Sequence, residues 1–315
     1  MKKSRVIAPL YRLLTVATIL VFCANTSAGQ SRLNVVTTLP DFASIAEEIG
    51  GEQVSVFAIA TGYQDPHFVD PKPSYIVKLS RADMFVSVGL DLEQGWVPPL
   101  LNSARNPNIL PGGDGYVDAS AGIPLLQVPT STSREQGDIH IQGNPHYWLD
   151  PDRGRIIAGT IHAALVRLQP ESEALFTQNL AKFNLELDGA AIHWAELMAP
   201  FAGSKIMAYH NQWPYFEAAF GLEIVDFLEP KPGIPPSPSQ LAKVIREMQR
   251  DAINVIIIAP YYSHDAADLV ARNVGGTVVT LASSVGAFPQ INTYRELFDY
   301  NVNLIAGALE AGLRP

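Results

Sequence analysis

Between Glu171 and Met198 the chain runs for 28 residues without a proline and with one glycine, Gly189. Pro170 precedes this stretch and Pro200 follows it. Proline removes a backbone donor and clashes with the preceding turn, so a run this long that avoids it reads as one uninterrupted helix. At 1.5 Å per residue such a helix reaches roughly 42 Å, about a domain diameter. Whatever lies on either side has to be arranged around it.

On both sides, short apolar runs alternate with helical stretches. Leu33 to Thr38 reads as a buried strand and Asp41 to Ile49 as the helix after it, with further strands at Gln53 to Ala58 and Asp83 to Val88. The spacing of Ile156, Ile157, Ile161, Ala164 and Leu165 predicts a helix over Asp152 to Arg167. Beyond the long helix, Lys205 to Tyr209, Leu222 to Phe227, Ile253 to Ala259 and Thr277 to Leu281 read as strands separated by helical patterns, and a last helix runs from about Thr293 to Ala311. Strands alternating with helices imply parallel sheets. The predicted fold is α/β, with two lobes, each a parallel sheet flanked by helices, bridged by one long helix. Residues 29–170 form the first lobe, 171–200 the bridge and 201–315 the second lobe, after a signal peptide over 1–28. Sheets of this kind bind ligands beyond the carboxyl ends of their strands.

The signal-peptide reading rests on Lys2, Lys3, Arg5 and Arg12, the apolar run Leu13 to Cys23, and small residues at Thr26 and Ala28. The apolar run falls short of the roughly 20 residues that span a bilayer. A rival reading places a lipid anchor at Cys23 in Leu20-Val21-Phe22-Cys23, although bulky Phe22 stands where a small residue is wanted. Removal of the segment would take the formal charge from −9 to −13. Neither value suits a nucleic-acid binder, which shows a basic stripe. Cys23 is the only cysteine, so an exported form cut after Ala28 has neither a disulfide nor a thiol ligand, and His, Asp and Glu remain as its strong metal ligands. A periplasmic location follows.

Of the seven histidines, His162 and His193 fall inside amphipathic helices, and His140 lies in a polar, turn-rich loop from Pro129 to Pro145, where it could sample a metal during capture but solvent is its expected neighbour. His264 follows a strand and is a minor candidate. His67, His146 and His210 each stand where a strand or loop gives way to a helix, so an α/β fold can bring them to one cleft. Neutral imidazole suits transition metals, and three of them suit zinc better than calcium or magnesium.

Three blocks carry a resemblance. They are Asp65-Pro66-His67 with Lys72-Pro73-Ser74, Pro145-His146-Tyr147-Trp148-Leu149-Asp150-Pro151, and Tyr209-His210 with Trp213, Tyr215 and Phe216. With Pro235-Pro236-Ser237-Pro238-Ser239 and the export signal, the chain resembles the zinc- and manganese-binding solute receptors of bacterial ABC transporters, the cluster A-I group. The resemblance covers essentially the whole chain after the signal. It implies that His67, His146 and His210 hold a metal ion between the lobes, and that the partner is a membrane permease. A monomeric receptor with no enzymatic activity is expected. In many members a carboxylate after the penultimate strand completes the site, and here Ala282 stands in that place. A water, directly or through Ser283, is the favoured fourth ligand, and Asp65, Glu229, His264 and Asp299 are the alternatives. Manganese receptors of the group commonly replace the third histidine with glutamate, and this chain keeps His210. Zinc is therefore the expected cargo and manganese the runner-up.

Two other readings compete. Three histidines and a water are also the ligands of a catalytic zinc, which makes a hydrolytic enzyme the alternative. No helix-borne His-Glu pair or placed general base accompanies them. An adhesin of the same family is the other, and no attachment domain is visible. Trp148 and Trp213 are expected to wall the ion, and Asp150 and Asn211 to steady its ligands, with Asp150 equally able to cap a helix. The run Glu229 to Pro238 reads as a stiff loop beside the cleft.

Overall fold

The computed structural model describes residues 32–129, 140–231 and 233–312. The expected signal peptide, the Cys23 anchor and most of the polar loop lie outside the described residues. The first half builds β1 (Leu33–Thr37), α1 (Pro40–Gly50), β2 (Val54–Ala58), α2 (Pro73–Ser80), β3 (Met84–Ser87), α3 (Val97–Ala104) and β4 (Tyr116–Asp118). Two long helices follow, α4 (Pro151–Leu168) and α5 (Glu173–Met198). The second half is β5 (Lys205–Ala208), α6 (Pro214–Phe220), β6 (Glu223–Phe227), α7 (Pro238–Arg250), β7 (Val255–Ile258), α8 (Asp265–Val274), β8 (Thr277–Thr280) and α9 (Tyr294–Gly312).

Proline and glycine set much of this punctuation. Prolines occupy the first turn of α1, α2, α3, α4, α6 and α7, where the missing N–H is not needed. Asp150 caps α4 by accepting from the Asp152 N–H, and Ser237 caps α7 from Gln240. Gly221 and Gly275 close α6 and α8 in the left-handed conformation.

The strands form two parallel sheets with orders β2-β1-β3-β4 and β6-β5-β7-β8. The two orders are the same topology used twice, a relation invisible in the residues themselves. In the first sheet Val36 pairs with Phe57 and Phe85, and in the second Ile257 pairs with Val279. Alternate residues of the second sheet face different cores, as the period-two pleat demands. Ile206, Ala208, Val255 and Ile257 join a large core that also holds Val36, Phe85 and Trp194, whereas Met207, Ile256 and Ile258 face α7 and α8. One apolar core thus runs through both sheets.

Helix α5 spans 26 residues, about 39 Å. It buries a narrow stripe of Phe176, Phe183, Leu187, Trp194 and Met198, packed against α1 and α4 on one side and α6 and α9 on the other. The predicted strand at Gln53 starts at Val54, because Gly51 to Gln53 make a 3-10 turn, and a similar turn over Pro170 to Ser172 delays α5 to Glu173. Strand β4 was not predicted, since three residues are too few to show a periodicity. Among the described residues no helix is long and apolar enough to cross a membrane.

Hydrogen bonds tie the first half of the chain to the second. The Trp148 indole donates to the Ser283 carbonyl at 2.9 Å, and the Tyr294 hydroxyl donates to the Trp148 carbonyl at 2.6 Å. Asp41, wholly buried on α1, accepts from the Ser284 hydroxyl and from the Val285 N–H. Burial raises the Asp41 carboxyl to about 7, against the pull of those two bonds. A carboxyl whose pKa is higher folded than unfolded binds its proton more tightly in the native state. Its stabilisation is complete below about pH 4 and is lost as pH rises through 7, on the order of 4 kcal/mol in all. Asp41→Asn, which keeps an acceptor without the charge, should match the parent near pH 4 and exceed it in stability at pH 8. Urea unfolding at the two pH values measures this, and an equal pH slope in both proteins would refute it.

Candidate metal centre

Every candidate residue that meets at the centre lies past the carboxyl end of a strand or in the connection that follows. His67 is in the segment after β2, His146 precedes a 3-10 turn over Tyr147 to Leu149, and His210 stands two residues beyond β5. One ring nitrogen from each of the three lies within 4.8 Å of those of the other two. Ring centroids are 5.3 Å apart for His67 and His146, and 5.8 Å for each of these with His210. His146 and His210 are buried, at 1% and 5% exposure, and His67 is partly open.

Two of the three are built alike. In Asp65-Pro66-His67 and in Asn144-Pro145-His146, a side-chain oxygen accepts twice from the histidine two residues on. It takes the backbone N–H at 3.0 Å in both cases, and the ring Nδ1 at 2.7 Å from His67 and 2.9 Å from His146. The intervening proline restricts the turn, and the Asx side chain mimics a backbone turn. His210 reaches the same state differently, with Nδ1 against Glu229 Oε2, two residues beyond β6. An amide oxygen or carboxylate accepts, so the ring proton belongs on Nδ1 and the lone pair on Nε2. Burial pushes the Asp65 carboxyl up, but the hydrogen bond and charge of His67 outweigh it and hold it below its usual range.

The lone pair on His146 has nothing to meet. Its Nε2 is buried without a hydrogen-bond partner, a loss of about 1–3 kcal/mol for a polar atom. Burial first, and then neighbouring His67, His210 and His140, drive the His146 pKa well below the ordinary value. The ring therefore stays neutral, with a bare nitrogen aimed into the cluster. A cation satisfies that atom, and three imidazole nitrogens backed by oxygen acceptors fit a transition metal.

The structure gives places to the other residues weighed for this centre. Asp65 and Glu229, considered as fourth ligands, hold the Nδ1 atoms of His67 and His210. His264 is exposed beside Thr280, and Asp299 accepts from Trp194 and pairs with Arg295, so neither joins the cluster. Asn144, not Asn211, steadies His146, and Asn211 contributes its carbonyl to the Asn144 amide. His140 is not a solvated loop residue, for its Nε2 is 3.2 Å from His67 Nε2. The repeated Asx-Pro-His pattern was the available signal for Asn144. His140 was legible only as a loop histidine able to sample the metal, because its approach to His67 is a long-range contact.

The remaining surroundings are as follows. Trp148 stands against His146, with ring centroids 5.3 Å apart, whereas Trp213 packs on Phe216 in the core. Asp150 caps α4 and pairs with Arg153. Ala282 is buried and its backbone N–H and carbonyl are both held by the Asn301 side chain. A cavity of about 200 Å³ opens beside the cluster, bordered by His67, His210, Tyr262, Gly233 and Pro235, with Phe68 at its edge. The Pro-rich loop thus flanks the cleft. A larger cavity of about 440 Å³ between α4, α5 and α6 contains no histidine.

Residues 35–308 match the family model ZnuA, zinc-uptake complex component A, periplasmic. The chain is similar to the metal ABC transporter substrate-binding lipoprotein ScbA of Streptococcus cristatus, 23% identical over 294 residues that cover 91% of this chain and 92% of ScbA. It is also similar to the manganese ABC transporter substrate-binding lipoprotein PsaA of Streptococcus pneumoniae, 23% identical over 305 residues, 93% of this chain and 95% of PsaA. With the zinc-binding lipoprotein AdcA of the same organism it shares 24% over 266 residues, 82% of this chain but 51% of AdcA. Among solved structures, a crystal structure of ZnuA superposes with a TM-score of 0.75 at 24% identity, covering 88% of this chain and 99% of that one. FpvC from Pseudomonas aeruginosa in complex with Mn2+ gives 0.75 at 22%, covering 89% and 99%. These structural likenesses establish a shared fold.

Proposed function

This chain belongs to the periplasmic zinc-uptake complex component A family, and we propose that it is the zinc receptor of an ABC transporter, holding the ion between His67, His146 and His210. Proteins of this family are the metal-binding, substrate-binding components of such transporters and not enzymes. The observation that carries the zinc reading is the buried, unpartnered Nε2 of His146, facing two further imidazoles whose Nδ1 atoms are likewise engaged. All three donors are imidazole nitrogens, a set that favours zinc over the carboxylate-seeking manganese. Asp65 and Glu229 stand one bond further out, where two carboxylates offset the charge of a divalent ion.

Delivery follows from the placement of the donors. His67 and His146 come from the first half of the chain and His210 from the second, so a permease that shifts one half against the other separates the ligands. The receptor works outside the cytoplasm, as a monomer, and hands its ion to a membrane permease.

Titration of the metal-stripped full chain with zinc and with manganese tests the proposal. One zinc per chain is expected, bound at least about 100-fold more tightly than manganese, a difference of roughly 3 kcal/mol. Equal affinities would overturn the zinc assignment and favour the manganese reading suggested by the name of PsaA. No binding of either would overturn the receptor itself. Glu229→Gln should weaken zinc by about 10- to 100-fold, the usual cost of disturbing a partner of a ligating histidine. Competition against a chromophoric chelator measures it, and an unchanged affinity would remove Glu229 from the site.

A further inference from the structure

His140 approaches the cluster from a connecting segment and not from a strand end. Its ring centroid is 5.3 Å from that of His67 and 6.3 Å from that of His146. The Nε2 atoms of His140 and His67 stand 3.2 Å apart. His67 carries its proton on Nδ1, toward Asp65, so its Nε2 is a bare acceptor. A cation held between the two nitrogens takes a lone pair from each.

The distance itself fits such an ion. Zinc–nitrogen bonds of about 2.0–2.1 Å in a tetrahedron place neighbouring ligand nitrogens about 3.3 Å apart. Asp65 and Glu229 are occupied on the outer faces of His67 and His210. The three donors that lie within 4.8 Å of one another are those of His67, His146 and His210, and His140 adds a nitrogen 3.2 Å from that of His67. We propose that His140 is the fourth ligand, so that the ion taken up by this receptor is held by four imidazoles. The inference rests on the receptor reading above and deepens it. A site of four neutral nitrogens has no hard oxygen ligand, and it shifts selectivity further from manganese toward zinc.

Cobalt(II) and zinc serve as probes on the metal-stripped full chain and its His140→Ala variant. The parent should give the intense visible bands of tetrahedral cobalt, and zinc X-ray absorption should count four imidazole nitrogens. In His140→Ala the cobalt bands should fall sharply, zinc affinity should drop on the order of 10- to 100-fold, and the count should fall to three nitrogens with an oxygen added. A purely outer role for His140 would weaken zinc without changing the count, and that result would overturn the proposal. So would three nitrogens and an oxygen in the parent protein, or a variant with the parent's affinity and spectrum. In each of those cases the parent still binds and the receptor reading stands. A parent that binds neither metal removes both.

Discussion

His146→Ala is expected to abolish tight zinc binding while leaving the metal-free protein folded. Zinc held at a full set of protein ligands is worth about 10–16 kcal/mol, so one of three or four ligands carries about 3–4 kcal/mol. That corresponds to a loss of roughly 10²- to 10³-fold in affinity. His146 belongs at the upper end, because it is the most buried of the three and its Nε2 has no other partner. Removal of the ring leaves a cavity, but it also removes a buried acceptor that the metal-free protein cannot satisfy, and the two effects oppose each other. Calorimetric melting with and without zinc separates the outcomes. At a zinc concentration about 100 times its dissociation constant, the parent should gain about 2.7 kcal/mol of stability. The variant should gain almost none at that concentration. An equal zinc-induced gain in both proteins would exclude His146 as a ligand.

Gly62→Ala should cost about 3 kcal/mol, the upper part of the usual range for overpacking. A Cβ built on Gly62 falls 2.1 Å from the Val285 carbonyl oxygen and 2.3 Å from the Ala287 nitrogen. These are backbone atoms, so no side chain can rotate aside. Gly62 lies on the loop that carries His67, and Val285 donates to Asp41 from the segment beyond β8. The added methyl therefore forces the two halves apart at the place where they are hydrogen-bonded. Both the melting temperature and zinc affinity should fall together. At about 2–4 °C per kcal/mol for chains of 150–250 residues, the melting drop should be on the order of 6–12 °C. A variant that melts with the parent would show that the loop and the Val285 segment can separate freely. Gly154 offers an instructive contrast. There a Cβ would meet the Tyr294 ring at 2.3 Å, a side chain that is buried and bonded to the Trp148 carbonyl.

The elements that were legible in the residues share a physical cause. Long apolar periodicities such as Ile156 to Leu165 and the proline-free run of α5 report burial directly, because a helix in this fold must hide one stripe. Prolines mark six helix starts for a local reason that needs no tertiary contact. Strand β4 escaped because three residues hold too little pattern. At the centre, His67, His146 and His210 were identified by sequence context, and their Nδ1 partners were within reach of the same reading. Asp65 and Asn144 each stand two residues before a histidine with proline between, a repeat that states its function once the Asx turn is recognised. Glu229 is one of the alternatives to water as fourth ligand in the sequence, and the structure sets it against His210 Nδ1. A carboxylate near a metal site can serve as a ligand or as the partner of a ligand, and residue type does not distinguish the two.

By itself the sequence determined two α/β halves around one long helix, three histidines where a strand or loop gives way to a helix, and an acidic chain with a single cysteine. These depend on local periodicity and on residue chemistry, both of which act within a few positions along the chain. Only the tertiary structure decided which atoms meet. It brought His140 to 3.2 Å from His67 across 73 residues of chain, and Asp41 to Val285 across 244. It turned Asp65 and Glu229 outward and left His146 Nε2 bare. Contacts of that kind are set by how two sheets of the same strand order pack through a common core, and no local pattern along the chain records that packing.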